Sequence, residues 1–150
     1  MSKYLLDSNI LAVLEAQDHP HHTAVKRRLS QLQDSDEVYF SVLTLYEYEY
    51  SIAESQEPLT QSLQDMKKTL LETFPFFPLT EEGATVYGKI KAGYKKQTGI
   101  DKKALKRHSV DFMLASSALV EEAIFVSGDR IFERIAEFEP RFQWENWTIP

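Results

Sequence analysis

Short apolar runs alternate along the chain with longer segments in which apolar residues recur every three or four positions. The short runs are typical of buried strands, and the periodic segments are typical of helices that pack on a core. The predicted strands are residues 4–6, 37–41, 74–79, 123–127 and a short final strand at 144–147. The predicted helices are residues 9–15, 20–32, 42–53, 58–73, a long one from 80 through 94 into a basic segment, 109–120 and 130–138.

Strands that alternate with helices in this way predict a mostly parallel sheet with helices on both faces, which is a three-layer α/β/α fold. Pro75 and Pro78 place the third strand at or near the sheet edge, because proline donates no ladder hydrogen bond. Pro20 suits the first position of the second helix, and Gly99 suits the end of the long one or of the turn after it. The segment 42–53 is so rich in apolar groups that we expect it to pack over much of its circumference.

The composition is that of a globular protein, with 43% hydrophobic and 12% aromatic residues among 150. This length suits a single domain, residues 1–150, with one well-covered core. No apolar run approaches the roughly 20 residues that span a bilayer, and the start lacks the apolar core of a signal peptide, so we expect a cytoplasmic protein without a membrane partner. Because the chain has no cysteine, a metal ligand must be an oxygen or an imidazole nitrogen.

The charge is distributed unevenly along the chain. The net charge is −6, yet eight of the 17 basic residues and only one of the 23 acids lie between Lys89 and Arg107. This asymmetry indicates a basic face on an acidic body, although a solvated helix face produces the same pattern. Four cations of the segment shortly precede Asp111, and we predict that they guide the phosphates of a substrate. They are Lys102, Lys103, Lys106 and Arg107.

Four acids stand where a parallel sheet can bring them together. Asp7 and Asp129 each end a predicted strand, and Asp111 lies in the first turn of a helix. Glu47 shares a helix face with Thr44 and is expected to face inward, where its charge needs a partner. In such a sheet the helices begin at the carboxyl edge of the strands, where ligands bind. Singly, each Asp could be a helix cap, and Glu47 could pair with a lysine or a tyrosine hydroxyl. Together, the four carboxylates repel one another unless a hard divalent cation such as Mg²⁺ or Mn²⁺ binds them.

Four motifs in a fixed order carry a resemblance to a known family. The sequence resembles the PIN-domain ribonucleases, and most of all the toxins of VapBC-type toxin–antitoxin pairs, over essentially the whole chain. Each motif is weak alone, but the ordered set is fairly specific. The motifs are Leu5-Leu6-Asp7-Ser8-Asn9-Ile10-Leu11, Ser41-x-x-Thr44-x-x-Glu47, Asp111-x-x-Leu114-Ala115-x-x-Ala118-Leu119 and Val126-Ser127-x-Asp129-x-x-Phe132.

The resemblance implies a PIN-like fold and a role for each matched residue. Asp7, Glu47, Asp111 and Asp129 correspond to the catalytic acids that bind Mg²⁺ or Mn²⁺, and Asn9 and Ser127 correspond to accessory groups. It also implies an RNA substrate that the four cations bind, an antitoxin partner and a homodimer. Two positions depart from the common pattern: Ser127 replaces a threonine but keeps the hydroxyl, and Tyr48 and Ser51 stand where many relatives have leucine and glycine.

These observations predict metal-assisted hydrolysis of RNA by the toxin of a toxin–antitoxin pair. One alternative is a haloacid-dehalogenase-like phosphatase, because Asp7-Ser8-Asn9 loosely matches its Asp-x-Asp motif; Asn9, however, is no general acid. A second alternative is a catalytically idle binding module that uses the aromatic helix around residues 45–52 to contact a protein partner.

Overall fold

The computed structural model describes residues 1–150, and its five strands form one parallel sheet in the order β3–β2–β1–β4–β5. The strands are β1 (Lys3–Leu6), β2 (Glu37–Ser41), β3 (Phe76–Phe77), β4 (Ile124–Val126) and β5 (Trp144–Glu145). The helices are α1 (Ser8–Glu15), α2 (His22–Ser30), α3 (Val42–Glu54), α4 (Leu59–Thr73), α5 (Glu81–Thr98), α6 (Lys102–Arg107), α7 (Ser109–Val120) and α8 (Ile131–Phe138).

Alternate residues of the central strands face opposite sides of the sheet, as the two-residue period of a strand requires. Leu5 and Phe125 lie in a cluster formed with α5, α7 and α8, whereas Leu6 and Val126 lie in a second cluster with α1, α2 and α4. Both faces of the sheet are therefore covered by helices. The expected three-layer α/β/α architecture is confirmed.

Several boundaries follow from local chemistry that the sequence already contains. The proline-flanked β3 lies at one edge of the sheet, as predicted. Gly99 ends α5 in the left-handed conformation with φ 67°, and its amide donates to the Lys95 carbonyl at 2.9 Å. Ala115 and Ala118 are fully buried, which allows α7 to approach the sheet closely. No helix combines the length and the apolar character that crossing a membrane requires.

Three details differ from the expectations. The helix α3 does not pack over much of its circumference: Thr44 is its only buried residue, and the rings of Tyr46 and Tyr50 are 69% and 68% exposed. Tyrosine is amphipathic, so its presence in a helix does not require burial. The helix α2 begins at His22 and not at Pro20. The basic segment contains a separate short helix, α6, which is capped by Asp101.

Candidate metal-binding site

Asp7 lies where β1 ends and α1 begins, at the carboxyl edge of the sheet. Its Oδ1 accepts a hydrogen bond from the Ser8 amide at 2.8 Å, and its backbone carbonyl accepts from the amides of Ile10 and Leu11. The residue therefore caps α1, which was the simplest interpretation of an acid at this position. It is only 7% exposed and is the only acid among the buried residues.

The surroundings of Asp7 favour its neutral form. Burial raises the pKa of the Asp7 carboxyl from 3.8 to about 6, and the charges of Asp111 and Glu47 add smaller contributions in the same direction. Hydrogen bonds from Ser127 and from the Ser8 amide oppose the shift without cancelling it. A bound cation would reverse this balance, because it stabilises the ionised carboxylate.

Ser127 connects three of the predicted site residues through one hydroxyl. Its fully buried Oγ donates to Asp7 Oδ2 at 2.8 Å and accepts from the Asp129 amide at 3.0 Å. The amide nitrogen of Asn9 also approaches it, at 3.5 Å. A hydroxyl has one proton and two lone pairs, so these three contacts use its full capacity. Ser127 thus fixes the orientation of Asp7.

Asp111 lies in the first turn of α7, where the helix dipole stabilises negative charge. Its Oδ2 is 3.2 Å from Nδ1 of His108, the residue between α6 and α7. Burial raises the pKa of the Asp111 carboxyl and the charge of Asp129 adds to this, whereas His108 lowers it. His108 was not among the predicted site residues, although its spacing of three residues from Asp111 is a recognisable signal of contact.

Asp129 is exposed and follows β4 after a turn through Ser127 and Gly128. Its Oδ1 accepts from the Ile131 amide at 3.1 Å at the start of α8, so it too performs a capping role. The second carboxylate oxygen has no hydrogen-bond partner. Capping and metal binding are therefore compatible in this residue, since each requires one oxygen.

Glu47 differs from the expectation that it faces inward and needs a partner for a buried charge. The residue is exposed on α3, and no cation pairs with it. It lines a groove between α1, α3 and α4 together with Ser8 and Thr44. The charge of Glu47 nevertheless raises the pKa of Asp7, so the two carboxyls share one electrostatic environment.

The four acids are electrostatically linked in pairs: Asp7 with Asp111, Asp7 with Glu47, and Asp111 with Asp129. No three acidic or histidine side chains are close enough together to coordinate a single ion as the side chains stand. The donor chemistry nevertheless fits a hard divalent cation, because every group supplies carboxylate oxygen and none supplies sulfur. Such an ion would also offset the repulsion between carboxylates, which adds to the effect of burial on the pKa values of Asp7 and Asp111.

The four predicted phosphate-guiding cations all lie on α6 and are exposed. None of them forms an ion pair, so their charges are free to attract an anion. The helix leads directly into His108 and the first turn of α7. The basic helix therefore immediately precedes, along the chain, the helix that carries Asp111.

A second group of polar side chains near Asp111 was not predicted to take part in the site. Lys91 Nζ on α5 donates to the Tyr87 hydroxyl at 3.0 Å and to Ser109 Oγ on α7 at 3.3 Å. Tyr87 is half-buried, whereas Tyr94 on the same helix is buried. The spacing of four residues between Tyr87 and Lys91 signals their contact, but nothing in the sequence signals the contact with Ser109.

The fold and the edge site together define a PIN domain. The family model described as "PIN domain" matches residues 4–138, and the chain belongs to this family. The resemblance that the four motifs carry is thereby confirmed. No curated protein matches the sequence significantly.

Solved structures of toxin–antitoxin complexes have similar chains. A chain of VapBC-1 from nontypeable Haemophilus influenzae is 26% identical, with a TM-score of 0.74, and the match covers 97% of this chain and 98% of that one. A chain of VapBC2 from Rickettsia felis, bound to a promoter DNA fragment, is 21% identical, with a TM-score of 0.73. The match covers 97% of this chain and 98% of that one. A chain of FitAcB from Neisseria gonorrhoeae is 19% identical over 98% and 99%, with a TM-score of 0.74.

Proposed function

We propose that the protein is an endoribonuclease that depends on Mg²⁺ or Mn²⁺ and acts as the toxin of a VapBC-type toxin–antitoxin pair. The observation that carries this proposal is the buried carboxylate of Asp7 at the carboxyl edge of the sheet, oriented by the Ser127 hydroxyl at 2.8 Å, which also accepts from the Asp129 amide at 3.0 Å. Membership of the PIN family supports it, because members of the family are generally nucleases that use divalent metal ions.

The four acids are the residues that hold the ion in this proposal. Asp7 is the best positioned of them, since Ser127 and the Ser8 amide fix both of its oxygens. Asp111 and Asp129 approach from α7 and from the turn after β4, and Glu47 approaches from α3. When bound, such an ion supplies an activated water for in-line attack and stabilises charge on the phosphate and the leaving oxygen.

Side-chain nucleophiles have no part in this chemistry. Ser127 is the hydroxyl nearest to Asp7, but its proton is committed to that carboxylate and its lone pairs to two donors. It positions Asp7 and does not attack the substrate. His108 contacts Asp111 and is half-exposed, and it takes no part as a nucleophile.

The proposed RNA path runs along α6 toward Asp111. The four cations of α6 bind phosphates there, which lowers the free-energy cost of bringing a polyanion to an acidic site; they are Lys102, Lys103, Lys106 and Arg107.

The cytoplasm, where such RNA is present, is the proposed place of action. An antitoxin and a homodimer are the proposed partners, in keeping with the complexes to which similar chains belong. The exposed rings of Tyr46 and Tyr50 offer an aromatic surface for a protein partner.

The phosphatase alternative lacks support in the site. It needs a general acid at position 9, and Asn9 instead directs its amide nitrogen toward Ser127 at 3.5 Å. The idle-module alternative predicts no cleavage of any RNA, so a cleavage assay separates it from the proposed function.

The proposal is tested by RNA cleavage with an end-labelled RNA of mixed sequence in Mg²⁺, in Mn²⁺ and in EDTA. We expect cleavage by the wild type only with a metal present. Ser127→Ala should reduce the rate roughly 10- to 100-fold, as loss of a group that orients a metal ligand does. Asp7→Asn and Asp111→Asn should reduce it further.

The control is Asp18→Asn, which removes an exposed carboxylate outside the site. It should cleave RNA at the wild-type rate. Full cleavage by folded Asp7→Asn, or cleavage that persists in EDTA, would contradict the proposal.

A further inference from the structure

A cleft of about 160 Å³ opens between the first half of α5 and α7, close to the Lys91 group described above. Its walls are mostly apolar and include Pro78, Leu79, Ala84 and Met113. An apolar cavity of roughly 150 Å³ is large enough to hold benzene. The six-membered ring of a nucleobase is of similar size, so the cleft has room for one.

One wall of the cleft carries a polar group without a partner. Ser117 is 6% exposed, lines the cleft, and its Oγ makes no hydrogen bond within the protein. The neighbouring Ser116 shows the usual solution for a helical serine, since its Oγ donates to the Met113 carbonyl at 2.8 Å. A buried hydroxyl left unsatisfied is costly. A polar atom on a ligand in the cleft would remove that cost.

The mouth of the cleft adjoins a cation without a counter-ion. Lys91 is half-buried, forms no ion pair, and has only the neutral hydroxyls of Tyr87 and Ser109 as partners. Tyr87 belongs both to this group and to the cleft wall, so the two features are continuous. The Lys91 ammonium also lowers the pKa of the Tyr87 phenol, which reports the positive potential there. The Lys91 ammonium and the hydroxyls of Tyr87 and Ser109 together offer one positive charge and three hydrogen-bond donors, which suit a phosphate.

We propose that the cleft and the Lys91 group form a nucleotide subsite, in which Ser117 and the apolar walls hold a base while Lys91, Ser109 and Tyr87 hold its phosphate. The inference rests on the proposed nuclease function, because it assigns the subsite to a nucleotide of the bound RNA. Ser109 lies two residues before Asp111 on α7, and Ser117 lies six residues after it, about 9 Å along the helix axis. At about 100° per residue both serines lie on a different side of α7 from Asp111, so the subsite holds a nucleotide away from the cleaved bond.

The test is a titration of the full-length chain with uridine 5′-monophosphate in EDTA, followed by NMR of the Met113 and Ala84 methyl groups. Uridine and inorganic phosphate serve as separate probes of the two halves. We expect the nucleotide to shift the methyl signals of both residues. Lys91→Gln should weaken nucleotide binding about tenfold and leave uridine binding unchanged, since only the phosphate contact is lost.

Two further variants make the result specific. Ser117→Ala should weaken both uridine and the nucleotide, while the protein stays at least as stable because an unsatisfied hydroxyl is removed. Lys89→Gln is the matched control: it removes one exposed charge from the same helix and should bind the nucleotide as the wild type does.

The subsite is disproved if millimolar nucleotide leaves the two methyl signals unmoved, or if Lys89→Gln weakens nucleotide binding as much as Lys91→Gln.

A second copy of the chain could also fill the cleft. Sedimentation velocity of Ala84→Phe, which fills the cleft, and of Thr85→Phe, which changes a neighbouring residue outside it, measures the oligomeric state and tests this. Loss of a dimer in Ala84→Phe alone, with nucleotide binding retained, would overturn the proposal. Because the titration needs neither metal nor cleavage, nucleotide binding without any RNA cleavage would support the subsite and contradict the nuclease function.

Discussion

At the scale of single residues, the pair Asp7 and Ser127 determines the properties of the site. The hydroxyl directs its only proton at Asp7 Oδ2, and two other donors hold the hydroxyl in place. A threonine offers the same hydroxyl, so the serine found here keeps the function of that position. The result is a carboxyl with a fixed orientation, whose pKa is raised by burial although the Ser127 hydrogen bond opposes the shift.

The raised pKa of Asp7 predicts how stability depends on pH in the absence of metal. The folded protein binds the Asp7 proton more tightly than the unfolded chain does, so this contribution to stability is fully present below about pH 4. It is lost as the pH rises through about 6. The Asp7→Asn variant lacks this loss. Between pH 4 and pH 7.5 its free energy of unfolding should therefore rise relative to that of the wild type by up to about 3 kcal/mol.

Urea denaturation in EDTA at the two pH values measures the difference. Asp18→Asn is again the control, because this carboxyl is exposed and lies outside the site. The difference between its free energy of unfolding and that of the wild type should be the same at both pH values. A constant difference for Asp7→Asn as well would show that Asp7 is ionised without cost in the folded protein. The same experiment shows whether loss of activity in Asp7→Asn arises without loss of folding.

At the scale of elements, α6 is the feature that links the basic segment to the site. It is a single short helix that presents all four of its cations to solvent and ends at His108, the residue that contacts Asp111. Its position immediately before α7 in the chain is the basis for its proposed role in guiding RNA toward Asp111.

The proposed role of α6 predicts a change in the salt dependence of RNA binding. For a protein that binds a single-stranded nucleic acid, each phosphate contact removed reduces the magnitude of the slope of log affinity against log salt concentration by roughly 0.7. Lys106→Gln with Arg107→Gln should therefore reduce the magnitude of the slope by about 1.4, and neutralising all four cations should reduce it by about 2.8. Fluorescence anisotropy with labelled RNA in EDTA measures this slope.

The chain offers a closely matched control on α2. Lys26 and Arg27 are also an exposed Lys-Arg pair near the end of a short helix, and the double change to glutamine removes the same charge. Its slope should equal that of the wild type. Equal reductions in the two double variants would mean that α6 contributes only net charge and binds no phosphates.

The elements also show what periodicity predicts and where it fails. Every strand and seven of the eight helices follow from apolar spacing, and Gly99 and the proline-flanked β3 follow from backbone chemistry. The pattern missed α6 because six residues that are mostly charged carry no apolar period. It overestimated the burial of α3 because Tyr46 and Tyr50 count as apolar in a pattern yet remain in solvent.

At the scale of the whole molecule, the topology explains why the acids could be predicted as a group. Parallel strands bring the ends of β1 and β4 side by side, so Ser127 after β4 reaches Asp7 after β1, and its hydroxyl also accepts from the Asp129 amide. The predicted inward orientation of Glu47 was wrong, because its exposure depends on how α3 packs. The cleft beside Ser117 was not predictable, since it depends on the alignment of α5 against α7.

The central claim is that the acids at this edge bind a divalent cation, and calorimetric titration with Mn²⁺ at about pH 7.5 tests it most directly. The account predicts Mn²⁺ binding to the wild type, competition by Mg²⁺, an unchanged isotherm for Asp18→Asn, and binding at least about tenfold weaker for Asp7→Asn and Asp111→Asn. Absence of binding to the folded wild type, or the same isotherm for all four proteins, would contradict it.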